Sequence, residues 1–272
     1  MCLSHDHAHC SHPSLGRRGF MVGVAGTAGI MMAGCTTGSQ IADAVPILIS
    51  PEQEAQLGAE TWARIRQETP VSDNRSMQAA LQQVGSRLLR AAGENPEAWE
   101  MVVFEGQEAN AFALPGGKIG VYEGIFNYME NDAQLAAVVG HEIGHNQARH
   151  AAQRISASQA SQLGVQVITA ALGGGGGGAA SANQIAALLG AGVQYGILMP
   201  YGRDQELEAD RLGLRLMAMA GYDPRESIDF WQKMSQAPGA GTPEFASTHP
   251  SPGNRVAQLE SLMPEAMAIY NS

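Results

Sequence analysis

The sequence predicts an α+β fold, mainly helical, with a small antiparallel sheet beside a pair of helices. Three observations lead there. Long stretches carry apolar residues at helical spacing, as Met77, Leu81, Val84 and Leu88 do. Three short runs read as strands and fall together: Trp99–Phe104, Asn110–Leu114 and Lys118–Tyr122. Directly after them, Leu135, Val138, Val139 and Ile143 mark the buried face of a helix that also carries two histidines four residues apart.

The elements follow in order. Ser50-Pro51-Glu52-Gln53 opens the first helix, with Ser as N-cap, Pro at N1 and Gln at N3, and the helix runs to about Glu68, ahead of Pro70. A second helix starts near Ser72 or Asp73 and ends near Gly93. Both read as packing helices. Pro115-Gly116-Gly117 turns the chain between the second and third strands. An exposed edge of that sheet would take an extended peptide by strand addition, though a purely structural hairpin has the same signature. Asn131 and Gln134 form a capping box ahead of the histidine helix. After His150 an Ala/Gln/Ser-rich segment runs to about Leu172, six glycines fill 173–178, and a second apolar helix covers about Ala182–Leu198. These read as two helices joined by a slack loop, too polar for membrane spans. Arg203–Asp210 opens a helix with Leu207, Leu214, Met217 and Ala218 on its buried side. Asp223-Pro224 starts another, to about Gln236, and Pro252–Leu262 forms the last.

The chain has 272 residues and a net charge of −10, with no basic stripe, which argues against a nucleic-acid partner. Its three cysteines, Cys2, Cys10 and Cys35, all lie near the N-terminus, so no disulfide framework can be drawn for the body. Arg17-Arg18-Gly19-Phe20, a short apolar run and Ala33-Gly34-Cys35 read as a twin-arginine-like signal peptide over 1–34 with a lipobox; an uncleaved membrane anchor and an ordinary secretory signal are the other readings. Cys35 is then the expected lipidation site, 35–49 a tether, and 50–265 a single domain holding the glycine loop 173–178. Met32 departs from the usual Leu of a lipobox. The expectation from this segment is a lipid-anchored, periplasm-facing protein of the bacterial envelope. Thr36 after Cys35 leans it toward the outer membrane.

His141-Glu142-Ile143-Gly144-His145 is a His-Glu-x-x-His stretch on a helix. Its histidines share a face and can aim at one metal ion, while Glu142 flanks that ion as a general base for a bound water. A catalytic zinc needs a third protein ligand. A His-x-x-Gly-x-x-His continuation would supply it, but Ala148 and Ala151 occupy the diagnostic positions and His150 is one residue out of phase. His150 is also about 180° around the helix from His141 and is expected to face away. Glu206 is the candidate third ligand. Asp210, one turn on, is placed to accept the free N–H of a ligating histidine. Glu208 is about 200° from Glu206 and reads as a surface carboxylate.

His-Glu-Ile-Gly-His, Glu206-Leu-Glu-Ala-Asp210 and Thr248-His-Pro-Ser-Pro-x-x-Arg255 occur in the motif order of the gluzincin peptidases that include the CAAX prenyl endopeptidases and the HtpX-type proteases. Asn110-Ala-Phe-Ala-Leu-Pro-Gly-Gly is similar to that family's strand before the metal helix. The resemblance covers about residues 50–262. It implies a zincin-type helix pair binding one Zn2+ per chain through His141, His145 and Glu206, with Glu142 as base and His249 and Arg255 as further catalytic residues near the reaction centre. It further implies the soluble lipoprotein branch, cleaving unfolded or misassembled envelope proteins, with the membrane reached through a lipid anchor. A latent protease or a non-proteolytic assembly factor with a zinc site is the alternative. For His249 and Arg255 two roles stay open, oxyanion stabilisation or bracing of the last helix, and for His249 a third, as a plug on the metal.

Overall fold

The computed structural model describes residues 46–158, 201–236, 244–249 and 255–272. The expected signal peptide, Cys35 and the glycine loop 173–178 lie outside the described residues, as does the apolar helix expected at Ala182–Leu198. Among the described residues no helix is long and apolar enough to cross a membrane.

Local capping sets the helix starts. In α1 (Pro51–Glu68), the Ser50 hydroxyl accepts from Gln53 N at 3.3 Å and the Gln53 side chain accepts from Ser50 N at 2.9 Å. Helix α2 (Arg75–Ala91) is capped by Asn74 and starts two or three residues later than expected. Helix α3 (Asp132–Gln147) is capped by Asn131, whose side chain accepts from Gln134 N at 3.0 Å. Gln134 reaches back past the cap to accept from Glu130 N, so the expected box is displaced by one residue.

The sheet contains β1 (Glu100–Phe104), β2 (Ala111–Leu114) and β3 (Lys118–Tyr122) in the order β1-β3-β2. It is mixed, which corrects the antiparallel expectation. β2 and β3 form the antiparallel hairpin across Pro115-Gly116-Gly117, whereas β1 runs parallel to β3. The connection at 105–110 is long enough to step over one strand position, about 10 Å, and β3 fills the gap. β2 is therefore an edge strand by pairing, yet all four of its residues are buried.

Beyond α3 a further helix, α4, covers 150–158. Then come α5 (Arg203–Met219), α6 (Glu226–Ser235), the short α7 (Glu244–Thr248) and α8 (Arg255–Tyr270). Helix α8 continues eight residues past the expected Leu262, through Pro264. The main core joins α2, the sheet, α3, α5 and α6 through Leu81, Val103, Ile119, Val139, Met217 and Phe230. Leu207, expected inside, is 39 % exposed. Its neighbours Glu206 and Asp210 take the face toward α3, and the next position along the helix turns outward. The expected tether is docked at its C-terminal end: Ile49 is buried with Ala152 and Ile155, and Leu48 N donates to Ser156 Oγ at 2.8 Å.

Candidate metal centre

The site depends on how closely α3 and α5 approach. A Cβ on Gly213 would lie 2.9 Å from His141 N, and one on Gly144 would lie 2.9 Å from Ala209 O. Side chains at these positions would hold the helices apart. With glycine there, Glu206 and Asp210 of α5 reach the two histidines of α3.

His141 Nε2 lies 2.9 Å from His145 Nε2 and 3.4 Å from Glu206 Oε2. His145 Nε2 lies 3.4 Å from Glu206 Oε1. His249, just past α7, adds its Nδ1 at 3.2 Å from His141 Nε2 and 3.1 Å from Glu206 Oε1. The donor atoms of the four residues all fall within 4.8 Å of one another. All four residues and Glu142 are buried, none more than 3 % exposed. Donors on a tetrahedron with bonds of about 2.0–2.1 Å sit roughly 3.3 Å apart. The donor set thus fits a zinc-sized ion in number, chemistry and spacing.

Glu142 strengthens the fit. Neither of its carboxyl oxygens has a hydrogen bond among the described residues, and His249 Nε2 lies 3.3 Å from Oε1. A buried carboxyl that lacks a hydrogen bond is costly and calls for an explanation, which a reacting water beside it would supply. Burial raises its pKa, toward the range in which a carboxyl can both take and return a proton. Burial also pushes Glu206 up, but the charge of His249 and hydrogen bonds with the three histidines outweigh it and hold this carboxylate well below the usual range. Burial and the Arg255 guanidinium pull His141 down. Hydrogen bonds with Asp210 and Glu206 overcome both and raise it to about 9. His145 stays well below the usual imidazole value, through burial and then the charge of His141.

The surrounding shell is also visible. Asp210 Oδ1 lies 2.9 Å from His141 Nδ1, where a metal-binding imidazole places its free N–H. Arg255 Nη1 donates to Glu206 Oε2 at 3.1 Å and to the His249 carbonyl at 3.3 Å, and its Nη2 pairs with Asp210. Its guanidinium stacks 3.9 Å from the Trp231 ring. Arg255 is thus buried against two of the candidate ligands and Asp210. Tyr201, which sequence reasoning missed, stacks on His145 with ring centroids 3.7 Å apart. Nothing in its sequence context signalled this, because the contact is purely tertiary. His150 does not face away: its Nδ1 lies 2.8 Å from His145 Nδ1, and its Nε2 lies 3.3 Å from Glu208.

The sequence profile of peptidase family M48 matches residues 75–263, which hold all of these side chains. The chain belongs to peptidase family M48. It is 36 % identical over 182 residues to the mitochondrial metalloendopeptidase OMA1 of Schizosaccharomyces pombe, covering 66 % of this chain and 51 % of that protein. It is 30 % identical over 244 residues to the OMA1 of Saccharomyces cerevisiae, covering 82 % of this chain and 68 % of that one. It is 32 % identical over 218 residues to the beta-barrel assembly-enhancing protease of Escherichia coli, covering 78 % and 44 %. The chain thus spans about half of the fission-yeast and bacterial relatives. These relatives correct the expectation of a bacterial outer-membrane lipoprotein. Mitochondrial proteins from fungi, a plant and mammals stand among them, so kinship carries no such compartment. The signal that suggested it lies in 1–35, outside the matched residues.

Proposed function

We propose that this chain is a zinc-dependent endopeptidase acting on extended segments of unfolded or misassembled proteins. The observation that carries the reading is the convergence of His141, His145 and Glu206 beside the buried carboxyl of Glu142, which has no hydrogen bond among the described residues. When bound to those three donors, zinc supplies Lewis acidity and makes a nearby water more acidic. Glu142 takes a proton from the attacking water and returns it to the leaving amine. Asp210 and Arg255 hold the His141 ring and the Glu206 carboxylate in place. An extended substrate pairs with the β2 edge, next to the small pocket lined by Ala113, Leu114, His145 and Tyr201. The relative named for enhancing β-barrel assembly supports misassembled chains as substrates.

A second reading concerns the resting state, and the position of His249 favours it. Its Nδ1 stands among the other donors and its Nε2 faces Glu142, the position a reacting water would need. The site is closed and the β2 edge is buried. We therefore read this conformation as latent, with His249 required to move before substrate enters. A non-proteolytic assembly factor would keep the site closed permanently. Metal analysis and casein cleavage by the full chain, Glu142→Gln and His249→Ala separate these readings. Endopeptidase action predicts one zinc per chain throughout and loss of roughly 100- to 10,000-fold in turnover for Glu142→Gln. Latency predicts faster cleavage by His249→Ala. Near-normal turnover in zinc-replete Glu142→Gln overturns the assignment of the base.

A further inference from the structure

We propose that His150 and Glu208 are positioning residues that fix the His145 ring as a metal ligand. The proposal rests on the metal site described above and adds to it a second hydrogen-bonded chain, separate from Asp210. His145 turns its Nε2 toward Glu206 and His141, so a metal would be met by Nε2 and the ring proton would sit on Nδ1. That Nδ1 lies 2.8 Å from Nδ1 of His150. Two imidazole nitrogens at this distance share a single proton. His150 therefore accepts at Nδ1 and carries its own proton on Nε2, which points at Glu208 Oε2, 3.3 Å away. The chain runs Glu208 to His150 to His145. His150 is fully buried, while the Glu208 side chain is 57 % exposed. The two ligands of α3 are thus oriented by unlike partners: His141 by a buried carboxylate, His145 by a neutral imidazole backed by a carboxylate in water.

The arrangement is built by the backbone. In a continuous helix His150 would stand about 140° around from His145 and could not reach it. Arg149 breaks the helix with φ 55, the left-handed region that residues with side chains rarely enter. The break ends α3, starts α4, and turns His150 back onto His145. Arg149 is held there by Glu54 of α1, with Nε 2.8 Å and Nη2 2.7 Å from Oε2, and its Nη2 donates to the Ile49 carbonyl at 3.4 Å. A strained residue held by a dedicated ion pair indicates a geometry the fold maintains.

The test is zinc affinity, measured by chelator competition on the full chain, with the d–d spectrum of the Co2+-substituted protein as a second readout. His150→Leu should weaken zinc binding about 10- to 100-fold and shift the cobalt spectrum. His150→Asn, whose Oδ1 can accept the proton of His145, should restore most of the affinity. A packing role predicts the reverse order, because Asn brings a polar group into a buried apolar-sized space and Leu does not. Glu208→Ala, at an exposed position that tolerates truncation, should weaken binding several-fold, whereas Asp204→Ala on the same helix should not. Wild-type affinity in both His150→Leu and Glu208→Ala, or tighter binding by Leu than by Asn, overturns the proposal. Absence of zinc binding by the wild-type chain instead overturns the metal site itself.

Discussion

Gly213→Ala tests whether the close crossing of α3 and α5 builds the site. In the middle of a helix, Ala is favoured over Gly by about 1 kcal/mol. An exposed helix would therefore gain stability. Here the new Cβ would meet His141 N at 2.9 Å, Gly140 C at 3.1 Å and His141 Cα at 3.2 Å, all backbone atoms that cannot turn aside. Ordinary contact needs about 3.5–4.0 Å, so the helices must part by roughly 0.5 Å or more. Overpacking of this kind costs typically about 1–3 kcal/mol. The two effects sum to a net destabilisation of roughly 0–2 kcal/mol. The larger consequence lies in the site, because α5 carries Glu206 and Asp210. A shift of that size stretches the contact of 2.9 Å between Asp210 and His141 past hydrogen-bonding range. Zinc affinity should fall by about tenfold or more. Denaturant unfolding of the metal-free variant and competitive zinc titration measure the two effects separately. A variant as stable as wild type, with unchanged zinc affinity, would refute the reasoning about the helix crossing.

Other expectations are shorter. Glu206→Ala should lose zinc, and it should lose more than Glu208→Ala; the opposite order in a zinc titration means the ligand is the wrong carboxylate. His249→Ala should raise casein turnover if His249 blocks the site; lower turnover at unchanged zinc content assigns it to the oxyanion, and an effect on melting temperature alone assigns it to bracing. Lys118, and less strongly Trp62, hold the Glu100 carboxyl below its usual range against some burial. A carboxyl with a lowered folded-state pKa stabilises the protein above its unfolded value of about 4.3, and that contribution fades as pH falls through the folded value. Glu100→Gln should therefore lower the urea midpoint near pH 7, by under about 1 kcal/mol in stability for so exposed a pair, and the difference should shrink as pH falls below the unfolded value. A difference that does not shrink would mean the loss is not electrostatic.

Much of this architecture was legible because it is written in short-range rules. The Ser50 and Asn131 caps fix where α1 and α3 begin, and each needs only a few adjacent residues. The spacing of His141 and His145 puts both on one helix face whatever the rest of the chain does. The same rule separated Glu206 and Asp210 from Glu208 on α5. What could not be read depends on contacts between distant segments. The parallel pairing of β1 with β3 is decided by which strand fills a gap, and no strand encodes that alone. Leu207 looked like a core residue until the face of α5 was taken by carboxylates. His150 was misread because helical periodicity was carried through Arg149. The break there uses no glycine or asparagine, so no local signal announces it. It is imposed by Glu54, some 95 residues earlier in the chain.

That clamp bears on where the working unit begins. The family match starts at residue 75, and a fragment cut there would keep His141, Glu142, His145, Glu206 and His249. It would lose Glu54 and the Ile49 carbonyl, the two groups that hold Arg149 in its left-handed turn. It would also lose Ile49 from against Ala152 and Ile155, and the Leu48 contact with Ser156. Arg149 would then be free to relax toward ordinary helix, swinging His150 off His145. Such a fragment would hold every metal donor in its sequence and still grip the ion loosely, so the helix that precedes the shared family region is part of the metal site in function.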